Sequence, residues 1–185
     1  VEFWLQALDA TGAQMIIDKR DGEGGFETPG WSIEYNNMGS PFAENLHYQE
    51  MNNTGNQTGV VSMEPFSEGV WRHYAITRQE SGLMTRFVDG QLMGSGQNNQ
   101  VVADQTTSEP MYIGCRDLTS GWFTGRIDAL RISDGVRYSA AFEPPTDAMA
   151  VDDTTLLLYH FDDPHDGVAL DSGPLGLHGT WVGQD

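Results

Sequence analysis

From its first residue the chain alternates in the two-residue period of a β-strand. Val1, Phe3, Leu5 and Ala7 fall on one side, and Glu2 and Gln6 on the other. Trp4 and Leu8 interrupt the polar side, so this strand is expected to be covered on both faces. Met15-Ile16-Ile17 reads as a buried strand after a Thr11-Gly12 turn, and Trp31, Ile33 and Tyr35 alternate with Ser32 and Glu34 in another. Residues 36–58 are rich in Asn, Gln and Gly and hold one short strand candidate at 46–49. Two sequons, Asn52-Asn53-Thr54 and Asn56-Gln57-Thr58, fall there and matter only in a eukaryotic secretory host. Residues 71–78 alternate clearly. Residues 85–93 form a predicted hairpin about Asp89-Gly90, a dipeptide suited to a type I′ turn because both central residues need positive φ.

Further on, residues 111–115 are an apolar strand candidate. Residues 123–133 are the longest candidate, with Leu130 and Ile132 predicted on one face and Ile127 and Ala129 on the other. Residues 138–142 are expected to make one helical turn, ended by Glu143-Pro144-Pro145-Thr146. Leu156-Leu157-Leu158-Tyr159-His160-Phe161 reads as a strand covered on both faces, and a turn-rich tail closes on a short strand with Trp181. Many short strands joined by Gly, Asn and Asp turns, with almost no helical period, predict an all-β fold: a two-sheet antiparallel sandwich or jelly roll.

Length and charge narrow the picture. The 185 residues suit one domain. Residues 1–185 are read as a single sandwich, with 151–185 an arm that completes it. The formal net charge of −18 argues against nucleic acid and anionic membrane and favours cations or neutral ligands. No apolar run has the ~18 to 20 residues of a membrane span. Cys115 is the sole cysteine, so it is expected to be a small buried hydrophobe. Lys19 is the one lysine beside eight arginines, a balance that points to bidentate Arg–carboxylate pairs rather than a basic patch.

Five segments in order resemble one family. Val1-Glu2-Phe3-Trp4-Leu5 is similar to the FTVEFWV strand of laminin-G-like, concanavalin A-like lectin/glucanase jelly rolls. Residues 71–78, WRHYAITR, resemble their W-H-V-A-V-T-R strand, and residues 86–92, RFVDGQL, their L-Y-V-D-G-x-L hairpin. Residues 112–117 and 123–133 resemble the Y-I-G-x-R-D and F-x-G-x-I-D-E-V-R-I-S block. Residues 156–161, with Asp171-Ser172-Gly173 and His178-Gly179-Thr180, look like an element that often opens such domains but here closes the chain. The resemblance implies a module of a large multidomain, extracellular or envelope-associated protein of environmental bacteria, planctomycetes among them. Its partners would then be other domains of the same polypeptide and a glycan or a cell-surface protein.

The resemblance also implies a structural Ca²⁺. The matching positions are Asp128 and Asp171, with the acidic run 162–166 a second candidate. The alternative is that Asp171 caps its own turn and Asp128 pairs with Arg126 or Arg131. The Glu-x-Asp-x-x-Glu strand of this superfamily's glycosidases is not found, nor is a G-x-S-x-G elbow. A non-catalytic recognition module follows, most simply for carbohydrate. An adhesion module without a sugar site and a glycan-active enzyme of unfamiliar type are the alternatives. Sugar sites stack a ring on an aromatic face and pin hydroxyls with polar side chains. Two loops carry that chemistry: Arg116, Asp117 and Trp122 in one, and Arg20, Asp21 and Trp31 in the other, expected to meet at one end of the sandwich. The alternative is that Arg116 pairs with Asp117 and that Trp31 and Trp122 plug the core ends.

Overall fold

The computed structural model describes residues 1–9, 11–20, 29–36, 45–51, 57–61, 67–97, 107–146, 148–162 and 167–183. The sequon asparagines, Asp21 and residues 163–166 of the acidic run lie outside them. The described strands are β1 (Glu2–Ala7), β2 (Ala13–Arg20), β3 (Gly30–Asn36), β4 (Asn45–Met51), β5 (Gln57–Val61), β6 (Trp71–Arg78), β7 (Leu83–Val88), β8 (Gln91–Gln97), β9 (Tyr112–Ile113), β10 (Gly125–Ser133), β11 (Thr155–Tyr159), β12 (Val168–Ala169) and β13 (Gly179–Thr180). There is no helix among the described residues. The strands form an antiparallel β-sandwich of a six-stranded sheet, order β11-β10-β1-β6-β7-β8, and a five-stranded sheet, order β5-β4-β3-β2-β9, with β12 and β13 as a small ribbon.

The two-residue period dictates the core. Phe3 and Leu5 of β1, Tyr74 and Ile76 of β6, Leu130 of β10 and Tyr159 of β11 meet Ile17, Ile33, Leu46 and Tyr48 of the other sheet, all buried. Burying one such side chain contributes roughly 1.5–3 kcal/mol. The β7–β8 hairpin turns on Asp89 (φ 48) and Gly90 (φ 74), as its sequence predicts.

β10 departs from the predicted alternation. Its register with β1 shifts between Glu2 and Trp4, which pair with Arg131 and Asp128. Ala129, inside this bulge, has φ 48. The extra residue flips the strand N-terminal to it, so Ile127 packs on the main core with Leu130 and Ile132 rather than on the opposite face.

The outer face of the six-stranded sheet is covered, as the mixed pattern of β1 requires. The predicted helical turn at 138–142 does not form; the chain instead crosses this face in irregular conformation. Tyr138 and Phe142 stack with centroids 3.5 Å apart and edge onto Phe87. Phe142 N–H donates to the Gly90 carbonyl at 3.0 Å. Tertiary aromatic packing thus overrides a weak local helical preference. Met149 joins Ala129, Leu158 and Trp4 in a second apolar cluster.

Beneath this cover lies an ionic knot. Arg131 donates to Glu2 Oε1 at 2.8 Å and Tyr138 Oη to Oε2 at 2.7 Å. His73 Nε2 is 3.3 Å from Oε2, close enough for attraction but off the line of a good hydrogen bond. Burial alone would raise the Glu2 pKa, but His73, Tyr138 and Arg131 outweigh it and hold the carboxyl at about 2. Several other arginines also face carboxylates: Arg20 on Asp18, Arg72 on Asp89, Arg78 on Glu50 and Arg137 on Asp152.

Candidate functional site

Of the residues singled out in the two loops, Arg20 at the end of β2 and Arg116 both approach a residue that sequence reasoning missed, while residues 21–28 lie outside the described residues. Asp18 of β2 accepts Arg20 Nε at 2.8 Å on Oδ1 and Nη2 at 2.7 Å on Oδ2, a bidentate pair, and Arg116 Nε lies 3.9 Å from the same Oδ2. The Asp18-x-Arg20 spacing puts both side chains on one face of the strand, the signal that could have revealed the pair. Arg20 is thereby committed to the fold, whereas the Arg116 side chain is 44% exposed.

The 114–122 loop is fastened to β2. Gly114 N–H donates to the Ile16 carbonyl at 2.9 Å and Met15 N–H to the Gly121 carbonyl at 2.8 Å. Asp117 does not pair with Arg116. Its Oδ1 accepts Thr119 N–H at 3.0 Å, Thr119 Oγ1 at 2.6 Å and Ser120 N–H at 3.1 Å. The Thr119 hydroxyl foremost, together with the other loop donors, lowers the Asp117 carboxyl pKa. Asp117 is thus the staple of a tight turn, with Leu118 at φ 65. That turn holds out Trp122, which is 47% exposed. Trp31 does not join it. It shares strand parity with Ile33 and Tyr35, packs against the core and tilts against Tyr48 with centroids 6.1 Å apart.

Trp122 stands over a cleft of about 690 Å³ at the rim of the sandwich. Tyr112, Leu118 and Trp122 form one wall, and Tyr159, Phe161, Leu177 and Trp181 the other. The second wall is a ladder of rings, with Tyr159–Phe161 centroids 5.5 Å apart and Phe161–Trp181 centroids 5.8 Å apart. Among the described residues the polar side chains of the lining are few: the Trp122 indole N–H, the Tyr112 and Thr180 hydroxyls and His178. His178 Nδ1 accepts Asp171 N–H at 3.0 Å, so its proton sits on Nε2, where it is available as a donor.

Asp171 builds the second wall. Its Oδ1 accepts Leu158 N–H at 2.8 Å and Gly173 N–H at 2.7 Å, and its Oδ2 accepts Leu177 N–H at 2.8 Å. Both oxygens already serve backbone donors, which is poor geometry for a cation. Asp128 sits elsewhere, in a depression on the outer face of the six-stranded sheet. It takes neither expected arginine: Arg131 is committed to Glu2 and Arg126 to Gln6. The two predicted calcium ligands therefore do not make a shared site, and no three His, Cys, Asp or Glu side chains gather to hold a metal among the described residues. Cys115 is a buried free thiol, and burial pushes its pKa up.

Comparison with known proteins settles the family. The Laminin_G_3 family, described as the concanavalin A-like lectin/glucanases superfamily, matches residues 1–141. The chain belongs to the concanavalin A-like lectin/glucanase superfamily. Among solved structures, this superfamily member is similar to a candidate carbohydrate-binding protein of Bacteroides ovatus, with TM-score 0.69 and 16% identity. That match covers 92% of this chain but 48% of the other, so the chain spans about half that protein's length. It is also similar to the Ruminococcus gnavus IT-sialidase CBM40 bound to α2,3-sialyllactose, with TM-score 0.53, 15% identity and coverage of 68% and 69%. The same CBM40 bound to α2,6-sialyllactose matches with TM-score 0.53 and 15% identity, covering 68% and 70%. At these identities the likeness is one of fold. A search of the curated proteins finds no match.

Proposed function

We propose that this domain is a non-catalytic carbohydrate-binding module of a larger extracytoplasmic protein, and that the rim cleft under Trp122 holds the sugar. One observation carries the reading: a concave, aromatic-walled cleft whose exposed indole stands beside a few hydrogen-bond donors and acceptors. Pyranose rings stack on such faces while sparse polar groups fix their hydroxyls. The solved neighbours, described as carbohydrate binders, support it. No carboxylate lines the cleft among the described residues, so the paired acids of glycoside hydrolysis have no place in it. Although one neighbour is bound to a sialylated sugar, the chain's charge of −18 and the lack of any arginine or lysine in the described lining favour a neutral glycan here.

A glycan array followed by calorimetry tests this. Neutral glycans are expected to bind, and Trp122→Ala is expected to weaken binding about tenfold, ~1.4 kcal/mol, or more. Absence of any glycan binding, or equal affinity in the variant, overturns the reading. An array blank accompanied by capture of a defined protein partner would favour the adhesion module instead.

A further inference from the structure

A second depression, of about 510 Å³, lies on the outer face of the six-stranded sheet. It is lined by Trp4, Trp71, Asp128, His160 and Asp162, and Pro145 and Thr146 close one side. These residues come from β1, β6, β10 and the chain after β11. Register explains part of the grouping, because Trp4 pairs with His73 on one side and with Asp128 on the other. Trp71 is 39% exposed.

Two irregularities aim the acids into it. Under strict alternation Asp128 would share a face with Leu130 and Ile132 and point at the core. The β10 bulge, with Ala129 at φ 48, turns it outward and sends Ile127 inward instead. At the end of β11, Phe161 has φ 58 and stays stacked on Tyr159, while His160 and Asp162 on either side of it face the depression. Non-glycine residues with positive φ are strained, and here the strain has a shared consequence.

Trp4 packs against the second apolar cluster and edge-on to His73, but the polar groups so gathered take no hydrogen bond from another segment among the described residues. Asp18, Asp89, Asp117, Asp152 and Asp171 all accept hydrogen bonds from side chains or from the backbone of other segments. Asp128 takes the N–H of Ala129 alone, and Asp162, His160 and both indole N–H groups have no hydrogen-bond partner among the described residues. Burial and then the nearby Asp162 raise the Asp128 pKa, so the two acids repel each other. No arginine or lysine lines the depression among the described residues.

We propose that this depression is a binding site for a protonated amino sugar, its ring stacked on Trp71 and its ammonium held by Asp128 and Asp162. An ammonium relieves the carboxylate repulsion and gains from the indole faces, whereas an anionic sugar meets two like charges. Ring stacking alone would not discriminate; the pair of carboxylates selects the free amine over its acetylated form. The site is independent of the rim cleft.

The test uses the glucosamine trimer and the N-acetylglucosamine trimer at mildly acidic pH, followed through the indole N–H signals of the whole domain by NMR. The expected result is a saturable shift of the Trp4 and Trp71 signals with the free amine and binding of the acetylated trimer about tenfold weaker or less. Asp128→Asn and Asp162→Asn, both at exposed positions, should each remove that preference while leaving the rest of the spectrum in place. No shift at Trp71, equal binding of both trimers, or unchanged preference in both variants overturns the proposal. So does cleavage of either trimer, which would make the acids catalytic. Shifts at Trp122 report the rim cleft, so failure at one site is distinguishable from failure at the other.

Discussion

Asp171 offers the sharpest test of how the cleft is built. Its carboxylate accepts three backbone N–H groups, from Leu158, Gly173 and Leu177, at 2.7–2.8 Å. Hydrogen bonds to a charged group contribute ~1.5–3 kcal/mol each, and an orphaned buried donor costs ~1–3 kcal/mol. Leu177 is exposed, so water can satisfy its N–H once the carboxylate is gone. Asp171→Ala should therefore cost about 4 kcal/mol rather than the full sum of three bonds. Asp171→Asn keeps one acceptor oxygen for Leu158 and Gly173 but turns an amide N–H toward Leu177, costing ~2 kcal/mol. At ~2–4 °C per kcal/mol for a domain of this size, the alanine variant should melt roughly 8–16 °C lower. Urea unfolding gives the total, and hydrogen exchange should show lost protection in the arm, residues 167–181, beyond that of β1 and β6. Because three N–H donors already engage both Asp171 oxygens, EDTA should not loosen the arm, residues 167–181, in the wild-type protein. An alanine variant within ~0.5 kcal/mol of wild type refutes the reasoning. So does wild-type protein whose arm loses exchange protection once chelated.

Other outcomes follow from the same geometry. The Glu2 pKa lies at about 2, below its ordinary 4.5, so its ionic stabilisation is present above pH 4.5 and lost as the pH falls toward 2. Wild type should lose up to ~3 kcal/mol across that window, and Glu2→Gln, less stable at neutral pH, should show a flatter profile in acid urea titrations. Gly90→Ala places a Cβ 1.8 Å from the Phe142 carbonyl oxygen at φ 74. Strain and overpacking together should cost at least ~2 kcal/mol, with exchange quickening first in the 138–149 cover. Trp122→Ala removes a half-exposed ring, so its Tm should stay within a few degrees of wild type even as glycan affinity falls; a large Tm loss would mean that the ring is structural.

What the sequence determined by itself is what short-range physics controls. Side chains that alternate in β1, β3 and β6 choose their faces within the strand, and Asp89-Gly90 sets its turn from two residues' allowed φ, so the sandwich, the core and the family were legible in the linear text. The decision between loop and site was not. Whether Arg20 reaches outward or grips Asp18, whether Asp171 ties down an arm, and whether Asp117 serves its own turn depend on donors brought up by folding. Trp4, Trp71, Asp128 and His160 are far apart along the chain and share a wall because β1 pairs with both β6 and β10. The bulge that turns Asp128 outward is a mismatch between two strands, and neither strand encodes it alone. Hydrophobic periodicity is a property of one segment, whereas a binding site is a coincidence of several. Tertiary structure alone could show which polar groups the fold had left unused.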